Sequence, residues 1–171
     1  MIKQIVISSI LYSMVTVVNA SVGLDYLNAL RVKAGMPAFT EQINLRASAQ
    51  NHSDYMQTNK IFGHYEDSSK TGYTGDNGAD RAIYAGYFSR TVSENVSYGT
   101  TTVQGSIDSL FSAIYHRFGF LNLVSDEVGI GTNNKFYTYN MGNGTLNDLC
   151  QNTTYTGGSY YVVCVLTQTR R

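Results

Sequence analysis

Three titratable side chains stand at the edges of predicted elements: His64 in Gly63-His64, Glu94 in Ser93-Glu94-Asn95, and His116 in Tyr115-His116-Arg117. Two imidazoles and a carboxylate form a zinc set that leaves one coordination position open. The same trio can also work as general acid and base. Spacing alone does not bring them together, since 30 residues separate His64 from Glu94 and 22 separate Glu94 from His116. Nucleophilic catalysis has weaker support. No G-x-S-x-G turn occurs, nothing marks any one serine, and both cysteines have another use. No catalytic residue is assigned. No phosphate-binding glycine loop opens a helix, and Gly129-Ile130-Gly131 reads as strand glycine that allows close packing.

The elements that must position these groups follow from periodicity. Leu24, Leu27 and Leu30 or Arg31 share one helical face, which Gly35 and Pro37 terminate. A second helix is predicted from about Glu41 to Asn59 with the stripe Leu45, Ala49, His52 and Met56. His52 therefore points inward and reads as a packed, hydrogen-bonded core histidine. Residues 65–79 are loop-like, a short helix is predicted over 79–88, and Val92–Tyr98 reads as a strand. A further helix starts in the Thr100–Thr102 cluster, with Val103, Ile107, Leu110 or Phe111, and Ile114 on one stripe. The period then changes to two, giving strands at Val128–Ile130, Phe136–Met141 and Tyr160–Leu166. Helices first and strands mostly last predict an α+β domain with antiparallel pairing.

Composition limits the function. Lys+Arg and Asp+Glu are balanced at 12 each, and no basic patch marks a nucleic-acid partner. The start, MIKQIVISSILYSMVTVVNA, has a cationic Lys3, an apolar run from Ile5 to Val18 and a small-x-small site at Val18-Asn19-Ala20. It reads as a secretory signal peptide covering residues 1–20, cleaved after Ala20. Loss of Lys3 leaves 11 positive against 12 negative charges, or −1. No later segment is apolar enough to span a bilayer, so no membrane span is expected after cleavage. The location is then exported, periplasmic or extracellular. In that oxidising setting Cys150 and Cys164 are expected to form a disulfide. Past the expected leader, four N-x-S/T matches, at Asn51, Asn95, Asn143 and Asn152, are near chance for this composition.

In order along the chain, YLNALRVKAG (26–35), LRASAQNHSDYM (45–56), FGH (62–64), SENV (93–96), AIYHRFGFLN (113–122) and EVGIG (127–131) resemble the CAP superfamily of cysteine-rich secretory, antigen 5 and pathogenesis-related proteins. The bacterial branch, the SCP-domain proteins, is the closer likeness. The resemblance covers residues 24–142. It implies a three-layer α-β-α sandwich with a mainly antiparallel central sheet. It also implies a cleft in which His64, Glu94 and His116 match two histidines and one acid of a family tetrad that binds zinc or another divalent ion in some members. The second acid's position holds Ala113, and Asp108 lies too far back along the helix to replace it on the same face. The expected organisation is a signal peptide at 1–20, a CAP domain at 21–145 and a strand extension at 146–171, with the disulfide pinning a β-hairpin.

The family has no single agreed chemistry. The expected function is an exported binding module whose His/Glu cleft takes a divalent metal, such as Zn2+, or a small or lipid ligand. The alternatives are a zinc-dependent hydrolase using the same three residues and an envelope or cell-wall interaction protein. The last could use some of the 14 tyrosines as contact surface.

Overall fold

A computed structural model describes residues 22–152 and Cys164. The expected leader and, Cys164 apart, the expected strand Tyr160–Leu166 lie outside the described residues. Helix α1 covers residues 22–33 and ends at Gly35, which takes a left-handed φ of +79°. Leu27 is buried, and Leu24 and Leu30 pack beside it. Arg31 shares the buried face. Its guanidinium lies 3.5 Å over the Phe39 ring and donates to the carbonyls of Pro37 and Phe120.

Strand β1 is Thr40–Glu41, so the helix predicted from Glu41 starts later. Gln42 supplies the start signal, its side-chain oxygen accepting the N–H groups of Asn44 and Leu45. Helix α2 then runs Ile43–Asn59 and closes at Lys60, in the left-handed region with φ 54°. Helix α3, Gly78–Tyr84, is capped by Asn77 and is shorter than the predicted 79–88, because Gly86 at φ +98° turns the chain away. Strand β2 is Ser93–Tyr98. Thr102 caps helix α4, Val103–Ser112, by accepting the Gly105 N–H. Ala113 then adopts an extended conformation (φ −93°, ψ 121°) and separates α4 from helix α5, Ile114–Phe120.

Strands β3, Glu127–Asn133, and β4, Phe136–Gly142, form a hairpin whose turn uses Asn134 at φ 55°. Helix α6 is Gly144–Asn152, so residues 146–152 of the expected strand extension are helical. The helical start follows from Asn143, whose side chain accepts the Leu146 N–H. Cys150 on α6 is bonded to Cys164, with their Cα atoms 5.0 Å apart, so the bond does not pin a hairpin at the Cys150 end. Cys164 also bridges Ser89 in antiparallel fashion.

The sheet order is β1-β3-β4-β2. β3–β4 and β4–β2 are antiparallel, while β1 joins β3 in parallel, so the sheet is mixed. Helices α1, α4 and α5 cover one face and α2 with α3 the other, in the expected three-layer arrangement. The first face is apolar: Leu27, Val103, Ile107, Leu110 and Phe120 meet Val128, Ile130, Tyr139 and Met141.

The second face has a polar centre. Ser53 pairs with Thr138 at 3.0 Å, Asn140 with Ser48 at 3.0 Å, and Gln50 brackets the backbone of Thr132. Small apolar clusters flank it, Tyr55–Met56–Val96–Phe136 on one side and Leu45–Ala82–Tyr87 on the other. The expected close packing at Gly129 and Gly131 is present here. A Cβ at Gly131 would lie 2.1 Å from the Ala49 carbonyl carbon, and one at Gly129 2.0 Å from that of Leu45. Helix α2 thus rests directly on the β3 backbone.

Candidate functional site

Strand β2 is at one end of the described sheet and carries Glu94 and Asn95 side by side. Successive side chains of a strand point to opposite faces, so the two residues serve different layers. Glu94 lies under α3, against Gly78, which leaves room for its carboxylate. Asn95 lies under α5, against Gly119.

On the α2/α3 side, the Nδ1–H of His64 donates to Glu94 Oε1 at 3.0 Å. The other carboxylate oxygen accepts from Arg81 Nη2 at 2.6 Å. Glu94 is nearly buried, its side chain 6% exposed, whereas that of His64 is 44% exposed. Burial alone would push the Glu94 carboxyl up. The His64 hydrogen bond and the Arg81 charge outweigh it and hold the group below the usual carboxylate range. Arg81 is wholly buried and also donates to the carbonyl of His64. It therefore positions both the histidine's backbone and its partner acid.

The polar chain continues inward. Arg81 Nε lies 3.7 Å from Glu66 Oε1, and the same oxygen faces His52 Nδ1 at 2.8 Å. His52 Nε2 faces the Gly63 carbonyl at 2.8 Å, and Glu66 Oε2 accepts from the Thr74 N–H. Both ring nitrogens of His52 are thus engaged by oxygen atoms. His52 is fully buried and hydrogen-bonded, the core role its inward position predicts. The line His52–Glu66–Arg81–Glu94–His64 ties α2, the 63–76 loop, α3 and β2 into one unit.

On the α5 side, His116 and Asn95 hold each other twice. The His116 Nδ1–H donates to Asn95 Oδ1 at 3.1 Å, and Asn95 Nδ2 donates to the His116 carbonyl at 2.9 Å. Asn95 is 3% exposed, so the ring rests on a fixed partner.

The structure brings His64 and Glu94 together, while the His116 ring turns to Asn95. Among the described residues, no three His, Cys, Asp or Glu side chains form a group able to hold a metal ion. Glu94 has both oxygens engaged, by His64 and Arg81, so its carboxylate is not free to ligate an ion as placed, while a histidine held through Nδ1 keeps Nε2, the atom a metal would take. Ala113 is exposed and forms the break between α4 and α5. Asp108 accepts the Tyr26 hydroxyl at 2.7 Å and faces α1. Each imidazole is left with Nε2 as its available atom, an acceptor when the ring is neutral and a donor when it is charged.

Sequence reasoning missed Arg81, Glu66 and Asn95. Arg81 and Glu66 look like surface charges in a polar stretch. Asn95 adjoins the acid already singled out, and strand alternation was the available signal.

The comparisons with known proteins agree with this architecture. No curated protein sequence matches the chain. An extracellular protein of Bacillus anthracis containing an SCP domain superposes with a TM-score of 0.68 at 22% identity, over 75% of this chain and 41% of that one. An outer surface protein of Borrelia burgdorferi gives 0.62 at 14% identity, over 72% and 90%. A cysteine-rich secretory protein of Staphylococcus aureus gives 0.57 at 19% identity, over 74% and 39%. This chain thus matches less than half the length of the Bacillus and Staphylococcus proteins, and the likeness is one of fold. Among the described residues no helix is long and apolar enough to cross a membrane. The sequence model of the cysteine-rich secretory protein family, CAP, matches residues 24–166. With the layered fold and the His64–Glu94 pair in place, the chain belongs to the CAP family.

Proposed function

We propose that the chain is an exported binding domain that takes a small polar ligand at the β2 edge through the free Nε2 atoms of His64 and His116. One observation carries this reading: Glu94, the acid beside His64, has both oxygens engaged, by His64 and Arg81. A carboxylate held in that way orients and neutralises. A zinc-dependent hydrolase would need it to ligate the ion or accept a proton from water. Fixed imidazoles with one open nitrogen suit recognition of hydroxyl and amide groups. The extracellular and surface proteins of similar fold support export.

Calorimetry with soluble muropeptides released from peptidoglycan tests the reading, with zinc titrated in parallel. Saturable muropeptide binding, weakened in both His64→Ala and His116→Ala, is expected, with no zinc binding in the micromolar range. Micromolar zinc binding that is lost in His64→Ala would overturn it in favour of the hydrolase. Absence of muropeptide binding would overturn it as well.

A further inference from the structure

Beyond the histidines, a groove of about 380 Å³ opens where the C-terminal end of α2 meets the β3–β4 turn. Its floor is a run of aromatic rings. Phe62 and Tyr98 have centroids 6.1 Å apart, and Tyr98 and Phe136 4.6 Å. Phe136 is buried in the Tyr55–Met56–Val96 cluster and anchors the run, while Phe62 and Tyr98 are 54% and 57% exposed. Two large rings thus face water beside one another. The rim carries Lys60 and Lys135, and neither takes part in an ion pair among the described residues. No acidic residue lines the groove, whose polar edge is completed by the amides of Gln57 and Asn134.

The rim is also built on fixed backbone. Lys60 closes α2 with its N–H on the Met56 carbonyl, and Asn134 holds the left-handed position of the hairpin turn. The Gly99 N–H donates to the Lys135 carbonyl and ties that turn to the end of β2.

We infer that this groove is a second binding site, for a glycan that carries carboxylates. Each part of that ligand has a counterpart. The apolar face of a sugar ring lies on the Phe62–Tyr98 shelf, as flat partners do on exposed aromatic rings. Hydroxyls meet the Gln57 and Asn134 amides, which both donate and accept. Carboxylates meet the two ammonium groups in charge-assisted hydrogen bonds. The volume lies within the range of small-molecule sites. None of this uses His64 or His116, so the inference stands apart from the function proposed above.

The probe is trigalacturonate, titrated into the protein purified from an exporting host that expresses the full chain. Two controls separate the parts: its methyl ester keeps the rings without charge, and acetate keeps the charge without rings. Saturable trigalacturonate binding that weakens with added salt is expected, with weaker binding of both controls. Lys60→Gln and Lys135→Gln should each weaken it about two- to fivefold, the scale of an exposed ion pair. Tyr98→Ala should weaken it several-fold. His64→Ala should leave it unchanged, which separates this site from the histidines. Circular dichroism confirms that each variant is folded, and Phe62→Ala, an exposed position, serves if Tyr98→Ala is not. The inference is overturned by absent trigalacturonate binding, by equal binding of the methyl ester, or by lysine variants that bind like the parent.

Discussion

Replacing Gly131 with Ala tests the contact between α2 and β3 directly. The new methyl carbon would lie 2.1 Å from the Ala49 carbonyl carbon, 2.2 Å from its oxygen and 2.3 Å from the Gln50 nitrogen. Carbon atoms sit comfortably about 3.5–4.0 Å apart, so the shortfall exceeds about 1 Å. All three neighbours are helix backbone and cannot rotate aside. Helix α2 must therefore move off the sheet as a body. The Ser53–Thr138 and Ser48–Asn140 bonds, both 3.0 Å, then stretch beyond hydrogen-bond range, as do the two between the Gln50 amide and the Thr132 backbone. Four such bonds at about 1 kcal/mol net each amount to about 4 kcal/mol. That is a large share of a stability of about 5–15 kcal/mol. Urea unfolding followed by tyrosine fluorescence would read the loss. Gly35→Ala is the control: its φ is +79°, yet nothing lies within 4 Å of the added carbon, so it should lose only about 1 kcal/mol. A Gly131→Ala loss no larger than that of Gly35→Ala would refute the reasoning.

Arg81→Met removes the cation between two buried carboxylates and should lower stability by about 3–5 kcal/mol, measured by the same unfolding. Because the Glu94 carboxyl is held below its unfolded value, its contribution is present above about pH 4.3 and is lost as pH falls through the folded value. Glu94→Gln should therefore flatten the acid side of a plot of stability against pH, and an unchanged acid side would contradict the pairing. Reducing the Cys150–Cys164 bond, which closes a separation of 14 residues, should lower stability by about 3 kcal/mol on the chain-entropy view. Thermal melts with and without reductant would measure it.

Much of the fold was legible because the stripes were strong. Leu45, Ala49, His52 and Met56 are all buried on α2, and Thr102 starts α4 as its hydroxyl chemistry predicts. The glycine pair in β3 was readable as close packing. The break at Ala113 was not, since neither Gly nor Pro marks it. Nor was helix α6, because Asn and Gly before it read equally well as turn residues. In the site, His64 and Glu94 were paired through family likeness, as no local rule spans 30 residues. The buried positions of Arg81 and Glu66 arise only when three separate segments close around them, which is why their charges looked like surface.

The two faces of the sheet also differ in how they respond to temperature. The face under α1, α4 and α5 is held by apolar area, and that attraction weakens on cooling. The face under α2 and α3 has hydrogen bonds and ion pairs at its centre, which do not depend on that solvent term. As temperature drops towards freezing, hydrogen-exchange protection, corrected for the slower intrinsic exchange, should therefore fall first in α4 and α5, while α2 stays protected on β3. The molecule would come apart in the cold by shedding one layer, with the polar half still closed.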